Sequence, residues 1–334
     1  MTLKNNIFNR LDLGTFLMEI PKGNRVVLAQ AITLAESTRA EDVAMANQLI
    51  EQLLPLTGNS IRIGITGVPG VGKSTFIEAF GKYLTALDHK IAVLAVDPSS
   101  TKTKGSILGD KTRMEELARD EHAFIRPTAT SNALGGVTDR TREAILLCEA
   151  AGFNIIIIET VGVGQSETSV RTLVDFFLLL LLAGAGDELQ GIKKGIMEMA
   201  DAVVITKADS ENLKKANQAK ADVQHALHIF SDSDSGWKPK VITSSALEKT
   251  GIRETWNIME EYINFTQANN FFNENRTQQN LVWFHERMEQ LFKQHIAQSK
   301  EIDARIKILE KAIIDKKILP SRAAQEIISN FFKI

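Results

Sequence analysis

Short, largely apolar runs recur through the middle of the chain, at 61–67, 91–97, 124–127, 155–160, 177–183, 203–209 and 241–245, separated by stretches of helical spacing. In several of them, such as Ile155, Ile156, Ile157 and Ile158, no polar residue alternates with the apolar ones. That pattern predicts parallel strands covered on both faces. Strand alternating with helix in turn predicts a doubly wound, mostly parallel α/β sheet. Ahead of it, 26–35 and 42–54 place apolar side chains at helical spacing behind the breakers Pro21 and Gly23. Helical spacing returns after about 270, in Leu281, Phe284, Met288, Leu291 and Phe292, then over 302–314 and 323–332. The expected organisation is an N-terminal helical extension (1–57), an α/β domain (58–268) and a C-terminal helical arm (269–334). An apolar stripe on such an arm needs a surface to cover it, either its own core domain or a second copy of the chain.

Composition narrows the partners. At 334 residues the chain is long enough to bury a large core. Its net charge of -2 gives no electrostatic reason to expect nucleic acid or an acidic membrane as a partner. The run 177–183 is too short to span a membrane and suits a buried strand. The single cysteine, Cys148, sits among Ile145, Leu146 and Leu147 and reads as a small core residue. One cysteine allows no disulfide within the chain, and the N-terminal residues lack a secretory apolar region, so the cytoplasm is the expected compartment.

The densest chemistry follows the first apolar run. Gly67, Val68, Pro69, Gly70, Val71, Gly72, Lys73, Ser74 and Thr75 form a complete phosphate-binding P-loop, between a strand and a helical stretch at 75–87. Glycines let the backbone turn its N–H groups around phosphate oxygens at the positive end of the next helix. Lys73 adds a point charge for the β- and γ-phosphates, and Ser74 offers a hydroxyl to Mg2+. Two carboxylates, Asp97 and Asp110, fall at the carboxyl end of the second strand, where they suit either a metal and water site or an ordinary turn and N-cap. The fourth strand ends in Glu159, with Gly162 three places on, the position of a metal-holding acid and a γ-phosphate-sensing glycine. The sixth delivers Thr206, Lys207, Ala208 and Asp209, close to the guanine-reading pattern Asn-Lys-x-Asp. A carboxylate at Asp209 accepts from guanine N1–H and the 2-amino group, which adenine does not offer. Thr206 replaces the usual Asn and removes one amide, a loss of about 0.5–1.5 kcal/mol. Ser245, Ala246 and Leu247 then bring backbone to guanine O6. Together these elements predict a Mg2+-dependent site for GTP and GDP.

These residues resemble the MeaB/ArgK family of GTPases, chaperones of cobalamin-dependent acyl-CoA mutases. The likeness is carried by the P-loop and by the stretches 96–113, 124–127 with 134–136, 147–167 and 183–195, and it covers roughly residues 20 to 265. It implies a P-loop GTPase of the SIMIBI type, a homodimer, and a mutase such as methylmalonyl-CoA mutase as client. It also implies that Lys73, Asp97 and Asp110 serve catalysis, that Ser74, Asp97, Asp110 and Glu159 surround the metal, and that 184–193 is an additional switch loop facing the mutase. Two other readings keep the fold: an ATP-dependent kinase or transport-linked ATPase, against which Asp209, Ser245 and Ala246 argue, and a nickel metallochaperone GTPase, for which the chain lacks a Cys- or His-rich tract.

Overall fold

The computed structural model describes residues 11–96, 114–128, 136–160, 166–183, 194–227 and 233–332. All seven expected strands are present: β1 (Ile61–Gly67), β2 (Ile91–Val96), β3 (Ala123–Thr128), β4 (Ile155–Thr160), β5 (Phe176–Leu182), β6 (Ala202–Thr206) and β7 (Lys240–Thr243). They form one parallel sheet in the order β3-β2-β4-β1-β5-β6-β7. The order reverses around β1, so the crevice at its carboxyl end is the topological switch point where ligands of such sheets bind.

The two-residue period of a strand sorts the side chains onto two faces. Ile155, Ile157, Phe176 and Leu178 join one buried cluster with Phe76, Ile77 and Phe80 of helix α4 (Lys73–Thr85). Ile156, Ile158 and Phe177 enter the other, together with Phe16, Ile20, Leu28, Ile32 and Leu49. The latter residues come from the N-terminal segment, from α1 (Leu13–Glu19), the turn after it, α2 (Arg25–Ala35) and α3 (Ala40–Leu53). These helices therefore share one core with the sheet, each fully buried large side chain contributing about 1.5–3 kcal/mol. Arg126 of β3 reinforces the seam, donating to Ala29 O at 3.1 Å and pairing with Glu36 at 2.6 Å. Cys148 is buried on α6 (Gly136–Ala150), and burial pushes its thiol pKa up, with Glu149 adding to the shift.

The remaining helices of the α/β layer are α5 (Glu115–Ala118), α7 (Ser166–Arg171), α8 (Lys194–Glu198), α9 (Leu213–Leu227) and α10 (Ile252–Ala268). The first compact unit extends to Gln279, nine residues into α11 (Phe271–Gln298). The second unit, Asn280–Ile334, holds the rest of α11, α12 (Lys300–Ile314) and α13 (Pro320–Phe332). Within it Ile302, Leu309 and Ala323 are buried and Arg305 pairs with Glu326, while Phe284, Leu291 and Phe292 stay at least half exposed. No helix among the described residues is long and apolar enough to cross a membrane.

Candidate nucleotide site

β1 ends at Gly67 because no side chain fits there: a Cβ would stand 2.5 Å from Leu180 O on the neighbouring strand. The loop then turns through Gly70 and Gly72, at φ 83° and 95°, left-handed backbone that glycine adopts without strain. Gly72 is also the N-cap of α4 and carries no capping side chain, so the first N–H groups of that 13-residue helix are left for a ligand. Val71, between the two glycines, is fully buried and anchors the loop in the core. Lys73 folds back along the loop, its ammonium donating to Gly67 O at 2.7 Å and Val68 O at 3.3 Å. The cradle is thus made of glycine backbone, an uncapped helix start and one buried cation.

The acid expected on β4 stands beside it. Ser74 Oγ donates to Glu159 Oε1 at 3.3 Å, and Glu159 is 8% exposed. A hydroxyl and a buried carboxylate side by side are hard oxygen donors of the kind Mg2+ takes. Next to Glu159, Thr160 donates to Thr66 Oγ1 at 2.8 Å and locks the end of β4 to β1. Asp97, Asp110, Gly162 and the loop 184–193 lie outside the described residues.

On the other side of β1 the residues expected to read a base come together. The expected strand 203–209 stops at Thr206, because Lys207 takes a left-handed φ of 53° and its carbonyl accepts from Asn212 Nδ2 at 3.1 Å. This turn carries Lys207 over the P-loop: its Cε is 3.8 Å from where a Cβ on Gly72 would stand. Ala208 N then bonds Ser244 O at 3.1 Å, which draws the loop after β6 onto the loop after β7. Ser245 donates its hydroxyl to the Asp209 carboxylate and accepts from Glu248 N at 3.0 Å. Glu248 Oε1 in turn receives Ser210 N at 3.1 Å and Ser210 Oγ at 2.7 Å. A reciprocal backbone pair between Ser245 and Thr250 closes the second loop, with Gly251 required where a Cβ would meet Thr243 O at 2.2 Å. Ala246 is half-buried and Leu247 is 78% exposed at the loop's tip. Glu248 had no motif to mark it, and only its contacts reveal that it joins the two loops.

The family described as methylmalonyl Co-A mutase-associated GTPase MeaB matches residues 28–301. The chain is 47% identical over 297 residues to the GTPase ArgK of Escherichia coli (strain K12), spanning 89% of this chain and 90% of that protein. It is 45% identical over 320 residues to the Mus musculus protein named methylmalonic aciduria type A homolog, mitochondrial, spanning 93% and 77%. A crystal structure of a protein named LAO/AO transport system kinase is 38% identical and superposes with a TM-score of 0.76, over 96% of this chain and 98% of that one.

Proposed function

This chain belongs to the MeaB family of P-loop GTPases, and from that premise we propose that it hydrolyses GTP to GDP and phosphate in order to gate cofactor loading, protection or repair of a cobalamin-dependent acyl-CoA mutase. The observation that carries the nucleotide half is a glycine cradle crossed by Lys207, two residues before a carboxylate, Asp209, that Ser245 holds in place. In this reading the N–H groups of residues 67–75 and Lys73 hold the phosphates, Asp209 accepts from guanine N1–H and the 2-amino group, and the loop of Ser245, Ala246 and Leu247 meets O6. Ser74 and Glu159 would hold Mg2+, with Asp97 and Asp110 completing the acidic group by family resemblance. The metal, when bound, offsets the charge of the β- and γ-phosphates. Asp110 or Asp97 orients the attacking water, and Gly162 senses the γ-phosphate. Catalysis is then positioning plus charge stabilisation, with little covalent work for the protein.

The names of the relatives support the mutase as partner, and the segment 184–193, which follows β5 in the sequence, is our candidate for transmitting the nucleotide state to it. Exposed Phe284, Leu291 and Phe292 support a homodimer built on the second unit. The single buried cysteine suits the cytoplasm. Calorimetric titration should give GTP a preference over ATP of at least about 10²-fold, and sites that reject through unpaired polar groups reach about 10⁴–10⁵. Equal affinities would remove the guanine reading. GTP turnover should rise when a cobalamin-dependent acyl-CoA mutase is added; if no mutase alters it, the partner reading fails while the GTPase stands. A monomer by light scattering at micromolar concentration would exclude the dimer.

A further inference from the structure

A P-loop that turns its N–H groups toward phosphate leaves carbonyl groups facing the protein, and each buried one needs a donor. Val71, at the centre of Gly70, Val71 and Gly72, is fully buried. The donor to its carbonyl is the Thr206 hydroxyl, at 2.7 Å, reaching from the end of β6. The same hydroxyl lies 3.1 Å from Leu181 O. A hydroxyl has one proton, and the shorter contact places it on Val71. Thr206 itself is 4% exposed, in contrast to its exposed neighbour Lys207.

We propose that Thr206 is a positioning residue of the P-loop and not a reader of the base: its hydroxyl fixes the Val71 carbonyl, and Asp209 is left to choose the nucleotide. The proposal rests on the guanine-nucleotide reading of the site. Along the Hoogsteen edge guanine presents N7 and O6, both acceptors, and a residue there must donate to be felt. Thr206 has no proton left to give. The Asn of the usual pattern carries two amide protons, enough for a loop carbonyl and a base atom together. Replacing Asn by Thr therefore keeps the tether to the phosphate loop and drops the contact to the base. The bond also joins the two halves of the site, because β6 continues directly into Lys207 and Asp209 while Val71 continues into Gly72 and Lys73.

The consequence separates affinity from selectivity. The P-loop backbone holds the α- and β-phosphates, which GTP and GDP share, so loss of the tether weakens both alike. Thr206→Val, similar in shape but without a hydroxyl, should raise Kd for GTP and for GDP by about tenfold, the scale of one buried acceptor left without its partner. The ratio of GTP to 7-deaza-GTP affinity, in which only N7 is changed, should be the same in wild type and variant. Calorimetry on the full chain measures all three ligands, and thermal unfolding of the nucleotide-free protein checks that each variant is folded. Should Thr206→Val fail to fold, Thr206→Ser and Thr206→Ala replace it as a pair differing only in the hydroxyl. Ser should then bind within about threefold of wild type and Ala about tenfold more weakly. An N7 preference that is present in wild type and vanishes in the hydroxyl-free variant would overturn the proposal, as would unchanged affinity for GTP and GDP. Neither result bears on the guanine reading, which stands or falls on the GTP-to-ATP preference of the wild type.

Discussion

The two edges of this sheet handle polar groups in opposite ways. At the carboxyl edge the functional groups are mostly backbone, exposed by glycines at 67, 70, 72 and 251, with a few side chains held by one or two bonds each. At the amino edge, among the described residues, buried charges pair with one another. Arg276, near the start of α11, gives Nε and Nη2 to the two oxygens of Asp175 at 2.8 and 2.7 Å, and further protons to Gly58 O and Ser60 O at 2.5 Å each. Its guanidinium also lies 4.5 Å from the Phe272 ring centre. Glu149 receives Arg62 Nε at 2.9 Å, Ser60 Oγ at 2.6 Å and Gly58 N at 2.9 Å. Burial alone would raise the Glu149 pKa, yet Arg62 and these donors hold it below the usual carboxylate range. Asp201, fully enclosed, goes the other way: desolvation outweighs Arg171 and the Phe177 N–H and pushes its pKa up to about 6. A network of charges paired with one another holds structure. A site of chemistry is marked by donors that the fold aims and leaves for a ligand.

If that contrast is right, a variant at each edge should move only its own observable. The largest effect is expected at Lys73, whose ammonium is proposed to make charge-assisted bonds to two phosphates. Two such bonds at about 1.5–3 kcal/mol each predict that Lys73→Ala weakens GTP binding by about 10²–10⁴-fold. Isothermal titration measures it, and retention of near-normal affinity would remove Lys73 from the phosphate site. At the amino edge, Arg276→Ala should lower stability by about 3–5 kcal/mol, because Asp175, with a side chain only 1% exposed, would lose its guanidinium partner and keep the backbone N–H of Arg62 at 2.8 Å. Chemical unfolding reports that loss. The GTP affinity of the protein that remains folded should stay within about twofold of wild type, and a larger change would break the comparison by joining the two edges energetically.

The phosphate loop of the carboxyl edge was legible in the chain because its residues are neighbours in sequence. Gly67 to Thr75 carry their geometry in their own spacing, and the β-branched run before them marks the strand that presents them. Asp209 and Ser245 were each legible as candidates, but their hydrogen bond spans 36 residues, and only folding brings the hydroxyl to the carboxylate. The same limit hid Thr206. Its departure from Asn reads locally as a lost amide, whereas the bond to Val71 lies 135 residues away. Strand ends were set by such contacts as well: the run 203–209 looks continuous, yet β6 ends at Thr206 where Lys207 turns left-handed. The amino edge had no local signature at all, since Asp175 and Arg276 are 101 residues apart and each looks like an ordinary surface charge. Short α1 was equally silent, with Phe16 its only buried side chain.

The smallest effect belongs to the most exposed of these paired carboxylates at the amino edge and tests whether that edge stabilises the fold even near solvent. Asp120, just before β3, receives Lys82 Nζ at 2.7 Å, Thr85 Oγ1 at 2.8 Å and His122 N at 3.0 Å. Desolvation acts to raise its pKa, but Lys82 and the other donors together bring it down to about 2. A carboxyl whose folded pKa is depressed contributes its stability above the unfolded value, near 3.8, and loses it as pH falls toward the folded one. The window is therefore about pH 4 to 2. Lys82 is 42% exposed, so screening by water and salt reduces the contribution to about 1 kcal/mol. Asp120→Asn should be less stable than wild type by about that amount at pH 7, and the gap should narrow between pH 4 and pH 2 as wild-type Asp120 takes up its proton. Urea unfolding of both proteins across that range measures it. A gap that stays constant with pH would mean that the Asp120 charge plays no part in holding α4 to the start of β3, and that hydrogen bonding alone accounts for the difference.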